Sequence, residues 1–124
     1  MTLALALTVA AAGALGAGAR FCLAAVVAVR GGAALGTFAV NVSGSFALGV
    51  LVGVAAARGL PADLEIAAGG GFLGAYTTYS TWMVQIVEAS ERGARKAAIV
   101  DLVGSTLAGT LAAGLGFVLG AALS

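Results

Sequence analysis

The chain has 124 residues, of which 61% are hydrophobic and 9% are charged, and its formal net charge is +1. This composition excludes an ordinary soluble domain and predicts one membrane domain over residues 1–124, with lipid as its surroundings. The sequence lacks the basic patch typical of nucleic-acid binding, since its only basic run is the short segment Arg92–Lys96. The sequence has no histidine and only one cysteine, Cys22, which excludes an intrachain disulfide and an imidazole or multi-thiolate metal site.

Uncharged stretches at residues 2–19, 31–57, 66–87 and 102–124 predict an all-α membrane protein. Its four transmembrane helices should cover about residues 2–29, 31–57, 66–87 and 101–124. Each stretch is long enough to cross a hydrocarbon core of about 30 Å as a helix. The alternation typical of barrel strands is missing. The connecting loops are short, so neighbouring helices should run in opposite directions. The start of the chain lacks the basic residues of a signal peptide, and we expect the first stretch to be retained as a span.

Two polar residues stand out in the first two predicted spans. Arg20 either snorkels towards the membrane surface or attracts an anion, and the sequence leaves both readings open. Asn41 is costly to bury and its carboxamide cannot be satisfied by its own helix alone, which favours a functional role. Glycines at four-residue spacing, such as Gly49 and Gly53, predict that helices pack closely.

The third span should be broken. Gly69–Gly71 and Gly74 lower helix stability, and the run Thr77–Thr81 adds β-branched side chains and competing hydroxyl groups. In a broken membrane helix, freed carbonyls favour a cation, and the N-terminus of the next half-helix favours an anion. Tyr79 and Trp82 are three residues apart, so both should project from one face of the second half-helix and offer positive ring edges to an anion.

The remaining polar groups within the predicted spans are uncharged. A titratable base or a carboxylate pair inside the spans is missing, so we predict that the protein is not an enzyme. A neutral, hydrogen-bonding lining suits the passage of a small solute. About half of the serine and threonine hydroxyls are expected to bond only to carbonyls of their own helix. The full set of serine and threonine side chains considered for this lining is Ser43, Ser45, Thr77, Thr78, Ser80, Thr81, Ser105, Thr106 and Thr110.

Two motifs closely resemble the CrcB/Fluc family of fluoride channels. They are "GTFAVNVSGSFALG" at Gly36–Gly49 and "GFLGAYTTYSTW" at Gly71–Trp82, and "GAGARF" in the first span accompanies them. The resemblance covers essentially the whole chain. It implies a fluoride-specific channel of the bacterial plasma membrane that passively exports F⁻ and so limits fluoride toxicity. It also implies an antiparallel dimer with two pores, and a structural sodium ion, not transported, that backbone carbonyls of Gly74 and Thr77 of each subunit bind.

The same resemblance implies which residues form the fluoride pore. The matching positions are Asn41, Tyr79, Ser80, Thr81, Trp82 and Ser105, and Arg20 matches the arginine of the family's first span. The sequence departs from the family pattern at Tyr79 and Trp82, where phenylalanine is usual. It departs again at Gln85, where glutamate is common, and at Asp101, where tyrosine is often found.

The basic residues of the loops are unevenly distributed. The predicted first and third loops carry Arg30, Arg92, Arg95 and Lys96, whereas the second loop carries only Arg58. Cytoplasmic loops are the ones enriched in Lys and Arg, which predicts that both termini lie outside. We therefore hypothesise that the chain pairs with a homologous subunit of opposite orientation, while an antiparallel homodimer stays open.

Two other functional classes fit the composition. A small four-helix multidrug or cation transporter has a similar length, but such exchangers depend on a carboxylate in the first span, and residues 2–19 contain none. A non-conducting accessory or partner subunit would explain the small-residue packing but neither Asn41 nor the hydroxyl cluster.

Overall fold

The computed structural model describes residues 2–123, and over these residues the chain is helical, with no strand. The all-α expectation is therefore confirmed for this part of the chain. Two helices within it, Leu3–Arg58 and Arg95–Ala122, are long and apolar enough to cross a membrane. The elements are α1 (Leu3–Arg58), α2 (Ala62–Glu65), a π-helix (Ile66–Leu73), α3 (Gly74–Tyr76), α4 (Ser80–Glu91) and α5 (Arg95–Ala122).

Helix α1 is a hairpin of two arms joined at Gly32. Its 56 residues would extend about 84 Å if straight, far more than a bilayer's hydrocarbon core. At Gly32 the backbone adopts φ 84° and ψ 173°, a left-handed conformation that suits glycine. The first arm (residues 3–31) and the second arm (33–58) then pack together, so closely that a Cβ on Gly36 would lie 2.6 Å from the Ala24 carbonyl oxygen.

The second arm packs against α5 through glycines that contact backbone. A Cβ on Gly49 would collide with the Ala113 carbonyl, and one on Gly116 would collide with the Phe46 carbonyl. Small residues allow this close approach of two helix backbones. Residue numbers rise together along the contact, from the Phe46 level to the Gly53–Phe117 level, so the two helices run parallel.

The segment from Ile66 to Glu91 lies against both arms. Gly71 meets the Val9 carbonyl, where a Cβ would lie 2.9 Å away, and Gly13 meets Ala75, so this segment runs parallel to the first arm. It runs antiparallel to the second arm, because Gly69 lies near Leu51 whereas Thr78 bonds Asn41. With the hairpin and α5, four helical segments thus alternate in direction.

The parallel course of the second arm and α5 separates the charges into two ends. The Gly32 turn and the start of α5 share one end, which carries Arg30 and the basic segment Arg92–Lys96. Arg58 lies at the opposite end, where its Nη2 donates a 3.0 Å hydrogen bond to the carbonyl of Leu123. A cation there complements the negative end of α5.

Candidate functional site

The third segment is interrupted between α3 and α4. Thr77 has φ −82° and ψ 160°, which is extended backbone, and α4 begins only at Ser80. The hydroxyl of Thr77 donates to the Leu73 carbonyl at 3.0 Å. On the other side of the break, the backbone N–H of Thr81 donates to Thr78 Oγ1 at 3.3 Å and so covers one exposed amide of the new helix.

Asn41 of the second arm holds this break through two hydrogen bonds. Its Nδ2 donates to the Thr78 carbonyl at 2.9 Å, and the Thr78 N–H donates to its Oδ1 at 2.8 Å. In an uninterrupted helix, that N–H would bond the Gly74 carbonyl instead. The side chain from a neighbouring helix thus releases the Gly74 carbonyl from its usual partner.

Arg20 of the first arm also reaches the break. Its Nη1 donates to the Thr77 carbonyl at 3.4 Å, and the side chain is half-buried. The sequence left open whether Arg20 snorkels to the membrane surface or attracts an anion. In the structure its guanidinium lies beside the break in the third segment. A positive charge therefore lies next to the backbone that the interruption exposes.

The two carbonyls expected to hold sodium differ in their surroundings. The Gly74 carbonyl has lost its helical partner, whereas the Thr77 carbonyl already accepts a bond from a cationic side chain. Uncharged carbonyl oxygens are suitable ligands for a hard cation, and each oxygen has two lone pairs. Gly74 therefore offers the freer carbonyl oxygen for a cation, whereas the guanidinium of Arg20 opposes a cation at Thr77.

A groove of about 320 Å³ lies between the second arm, the broken segment and α5. It brings together most of the site residues expected from the resemblance: Asn41, Gly74, Thr77, Tyr79, Trp82 and Ser105. Arg20 and Thr81 instead line a second cavity, of about 390 Å³, beside the first arm. Ser80 is exposed and lines neither cavity. Apart from Ser80, the structure therefore divides the expected residues between two cavities.

The two aromatic residues of the groove pack against each other. The ring centroids of Tyr79 and Trp82 are 5.9 Å apart and the ring planes cross at 79°. This edge-to-face geometry is the favourable one for the ring quadrupoles. Tyr79 is 70% exposed, although it lies in an apolar segment.

Asp101 is the functional candidate that sequence reasoning missed. Trp82 Nε1 and Ser105 Oγ both donate to its Oδ1, at 3.2 Å and 2.7 Å. We expected Asp101 at the edge of a span starting near residue 101, but α5 already begins at Arg95. The four-residue spacing of Asp101 and Ser105 on one helix face was the available signal.

Several hydroxyls outside the break bond carbonyls of their own helix. Thr106 donates to the Leu102 carbonyl at 2.6 Å and Thr110 to the Thr106 carbonyl at 2.8 Å, both on their own helix. Ser43 lies 2.7 Å from the Ala39 carbonyl, and its hydroxyl also lies 2.8 Å from the Tyr76 hydroxyl. None of these three residues, Ser43, Thr106 and Thr110, lines the groove.

Gln85 leaves a buried acceptor open in the second cavity. Among residues 2–123, its Oε1 has no hydrogen-bond partner. It lines this cavity with Arg20 and Thr81, so the cavity beside the first arm also has polar residues in its lining.

Three relatives named as fluoride-specific ion channels are similar to this chain over nearly their whole length. "Fluoride-specific ion channel FluC 1" of Symbiobacterium thermophilum is 49% identical over 113 residues, 88% of this chain and 91% of the relative. The protein of the same name from Leifsonia xyli subsp. xyli is 42% identical over 122 residues, 97% and 89% of the two chains. "Fluoride-specific ion channel FluC 2" of Natronomonas pharaonis is 45% identical over 123 residues, 99% and 100%.

The match to a described family covers most of the chain. Residues 7–117 match the family described as "CrcB-like protein, Camphor Resistance (CrcB)". This range includes both motifs on which the resemblance rested and all residues that line the groove. The resemblance is confirmed, and the chain belongs to the CrcB family.

Proposed function

We propose that the protein is a fluoride-specific ion channel through which F⁻ leaves the cell down its gradient. The family and the shared name of its relatives support a channel and not an enzyme. The observation that carries the proposal is the groove, which combines the Asn41 amide, the Tyr79–Trp82 ring pair and the Ser105 hydroxyl. The multidrug transporter alternative is not favoured by this family membership.

The chemistry of the groove suits a small, strongly hydrated anion. Such an ion must exchange water for many weak donors along its path. One N–H of the Asn41 amide is used by the Thr78 carbonyl, but the NH₂ group carries two, so a second donor is left for the anion. The positive edges of the Tyr79 and Trp82 rings add weak attraction without the trapping strength of a full positive charge.

The proposal includes four membrane crossings in the bacterial plasma membrane. The alternating directions of the two arms, the broken segment and α5 support this arrangement, as does the apolar length of α1 and α5. The broken third segment is tolerated in a bilayer because neighbouring side chains satisfy its backbone. Export of fluoride by this route lowers its cytoplasmic concentration and its toxicity.

An antiparallel dimer completes the proposed channel. Tyr79 is 70% exposed beside the groove, so one subunit alone does not enclose the path, and a second subunit would. The basic residues concentrate at the end that holds Arg30 and the segment Arg92–Lys96, which favours one orientation in the membrane. The partner is therefore a homologous subunit of opposite orientation. Tags at the C-terminus that reported both orientations equally, in cells expressing this chain alone, would favour the homodimer instead.

Sodium is proposed as a structural ion at the break. Carbonyls of Gly74 and Thr77 from both subunits would hold it, and its charge would compensate the released carbonyls. Gly74 is exposed and a Cβ there would lie 3.6 Å from the Gly69 carbonyl, an ordinary contact, so one subunit tolerates alanine at this position. In the proposed dimer the added methyl group lies beside the sodium ligands at the second subunit. Gly74→Ala should therefore weaken the dimer and its dependence on sodium while leaving the helical content of each subunit unchanged.

The matched control for Gly74→Ala is Gly70→Ala, in the same segment, where an added Cβ meets nothing within 4 Å. Light scattering of purified protein in sodium and in potassium buffers measures the dimer. Equal dimer stability of the two variants in both buffers would count against a sodium site at Gly74.

Fluoride efflux from liposomes tests the function itself. Purified protein, alone and with a homologous partner subunit, is reconstituted into liposomes loaded with potassium fluoride. Valinomycin balances the charge and a fluoride electrode follows release. We expect rapid fluoride release and no chloride release from matched liposomes. Absence of fluoride release from both preparations would reject the proposed function, and release from the paired preparation only would show that this chain needs its partner to conduct.

A further inference from the structure

Two hydrogen-bond donors that line the groove, from different helices, converge on one anionic oxygen beside it. Trp82 Nε1 of α4 and Ser105 Oγ of α5 donate to the same atom, Asp101 Oδ1, at 3.2 Å and 2.7 Å. Convergent neutral donors around a single negative oxygen are the arrangement that also binds a free anion. The indole N–H and the serine hydroxyl thus form a two-donor anion position that is already occupied by a side chain.

The occupant is charged, and the groups around it are neutral. Within residues 2–123, the ion pair that forms is Arg92–Glu88, and Asp101 takes part in none. The neighbouring cavity, which Asp101 lines, is otherwise bounded by small, apolar or hydroxyl side chains, including Leu35, Phe38 and Val100. Within residues 2–123, the carboxylate of Asp101 accepts side-chain hydrogen bonds from Trp82 and Ser105. Both of these donors also line the groove.

We infer that the Asp101 carboxylate occupies an anion position between Trp82 and Ser105, and that it competes there with fluoride for the same two donors. The inference rests on the proposed function for the identity of the anion. A fluoride ion that approaches this point meets donors already engaged, and it also meets a like charge within a few ångströms, which opposes its entry. Asp101 thereby limits how strongly this wall of the groove holds the ion.

The single tryptophan gives a direct readout. Trp82 is the only one in the sequence, so the intrinsic indole fluorescence of the protein reports on this position alone. In Asp101→Ala the indole N–H is released, and we expect its emission to respond to fluoride at constant ionic strength and sodium concentration. The apparent fluoride affinity should be on the order of tenfold higher than in wild type, since a hydrogen bond to a charged acceptor is lost from the competing state. Sodium chloride titration is the ion control.

Two further variants separate this competition from a change in shape. Asp101→Asn keeps the size and the acceptor oxygen but removes the charge, so it should show a smaller gain and protects the test if the alanine variant does not fold. Adding Ser105→Ala to Asp101→Ala removes one of the two donors and should abolish the gain. Thermal unfolding in detergent verifies that each variant is folded.

The outcomes distinguish this inference from the proposed function. A fluoride response in either folded Asp101 variant at lower fluoride concentration than in wild type, which Ser105→Ala removes, supports the inference even if no variant conducts in liposomes. Identical fluoride responses of wild type and the folded Asp101 variants, or no response in any of them, would overturn it even where wild type releases fluoride.

Discussion

Two regions of the molecule are stabilised in different ways. One is the contact between the second arm and α5, which depends on close packing, and the other is the break at Thr77–Thr78, which depends on hydrogen bonds. The first consists of glycines, among them Gly49 and Gly116, that rest directly on the backbone of the facing helix. The second consists of backbone whose polar groups are satisfied by side chains from other helices, Asn41 and Arg20. Shape fixes where the helices lie, and hydrogen bonds fix where the helix is interrupted.

The difference predicts opposite sensitivities to substitution. In the glycine contact, adding a single carbon is harmful because no space exists between the two backbones. At the break, removing a polar group is harmful because a backbone N–H or carbonyl is left without a partner. The variants below test each half of this contrast.

The largest effect is expected for Asn41→Leu, which removes both bonds to Thr78. Each unsatisfied backbone group costs roughly 1–3 kcal/mol, so the free energy of unfolding should fall by roughly 2–6 kcal/mol. Denaturant unfolding in detergent measures the change. Ser45→Ala, one turn along the same arm, is the control and should cost under about 1 kcal/mol. Equal losses for the two variants would mean that the Asn41 bonds do not stabilise the break.

A smaller effect is expected for Gly116→Ala, whose Cβ would collide with the Phe46 carbonyl. Overpacking of this kind costs about 1–3 kcal/mol. Gly114→Ala, two residues earlier on α5, places its Cβ in open space and should be neutral or stabilising by up to about 1 kcal/mol. Thermal unfolding of the two variants side by side sharpens the comparison, and a similar melting temperature for both would refute the close contact.

The smallest effect is expected outside both regions, for Glu88→Gln. The Arg92–Glu88 pair spans 3.7 Å between largely exposed side chains, and such pairs contribute about 0–1 kcal/mol. The variant should unfold at nearly the same denaturant concentration as wild type, with any difference vanishing in high salt. A loss as large as that of Gly116→Ala would show that surface charge also contributes to holding the helices together.

Part of this arrangement is readable from local sequence. Glycine runs and the β-branched segment Thr77–Thr81 weaken a helix wherever they occur, so the interruption near Thr77 follows from composition alone. The same holds for Gly49 and Gly53, whose spacing indicates a flat helix face. The turn between the first two segments lies at Gly32, close to the predicted gap between spans, because charge and glycine coincide there.

The rest depends on contacts between residues far apart in the chain. Neither the pairing of Asn41 with Thr78 nor the reach of Arg20 to Thr77 has a local pattern, since each joins helices whose relative position is set by packing. The Asp101 contacts were missed for a related reason: their meaning depends on Trp82 from another helix. The π-helical winding of Ile66–Leu73 likewise has no signal in the local residue types, since the glycines there weaken a helix without specifying how it winds.

Fluoride efflux through Asn41→Asp, compared with wild type in the same liposomes, tests most directly whether the break forms the wall of an anion path. The aspartate still accepts the Thr78 N–H bond but cannot donate to the Thr78 carbonyl or to an anion, and it adds a negative charge facing the groove. We predict that fluoride release falls to the level of protein-free liposomes while the variant remains folded. Release at the wild-type rate would contradict the account.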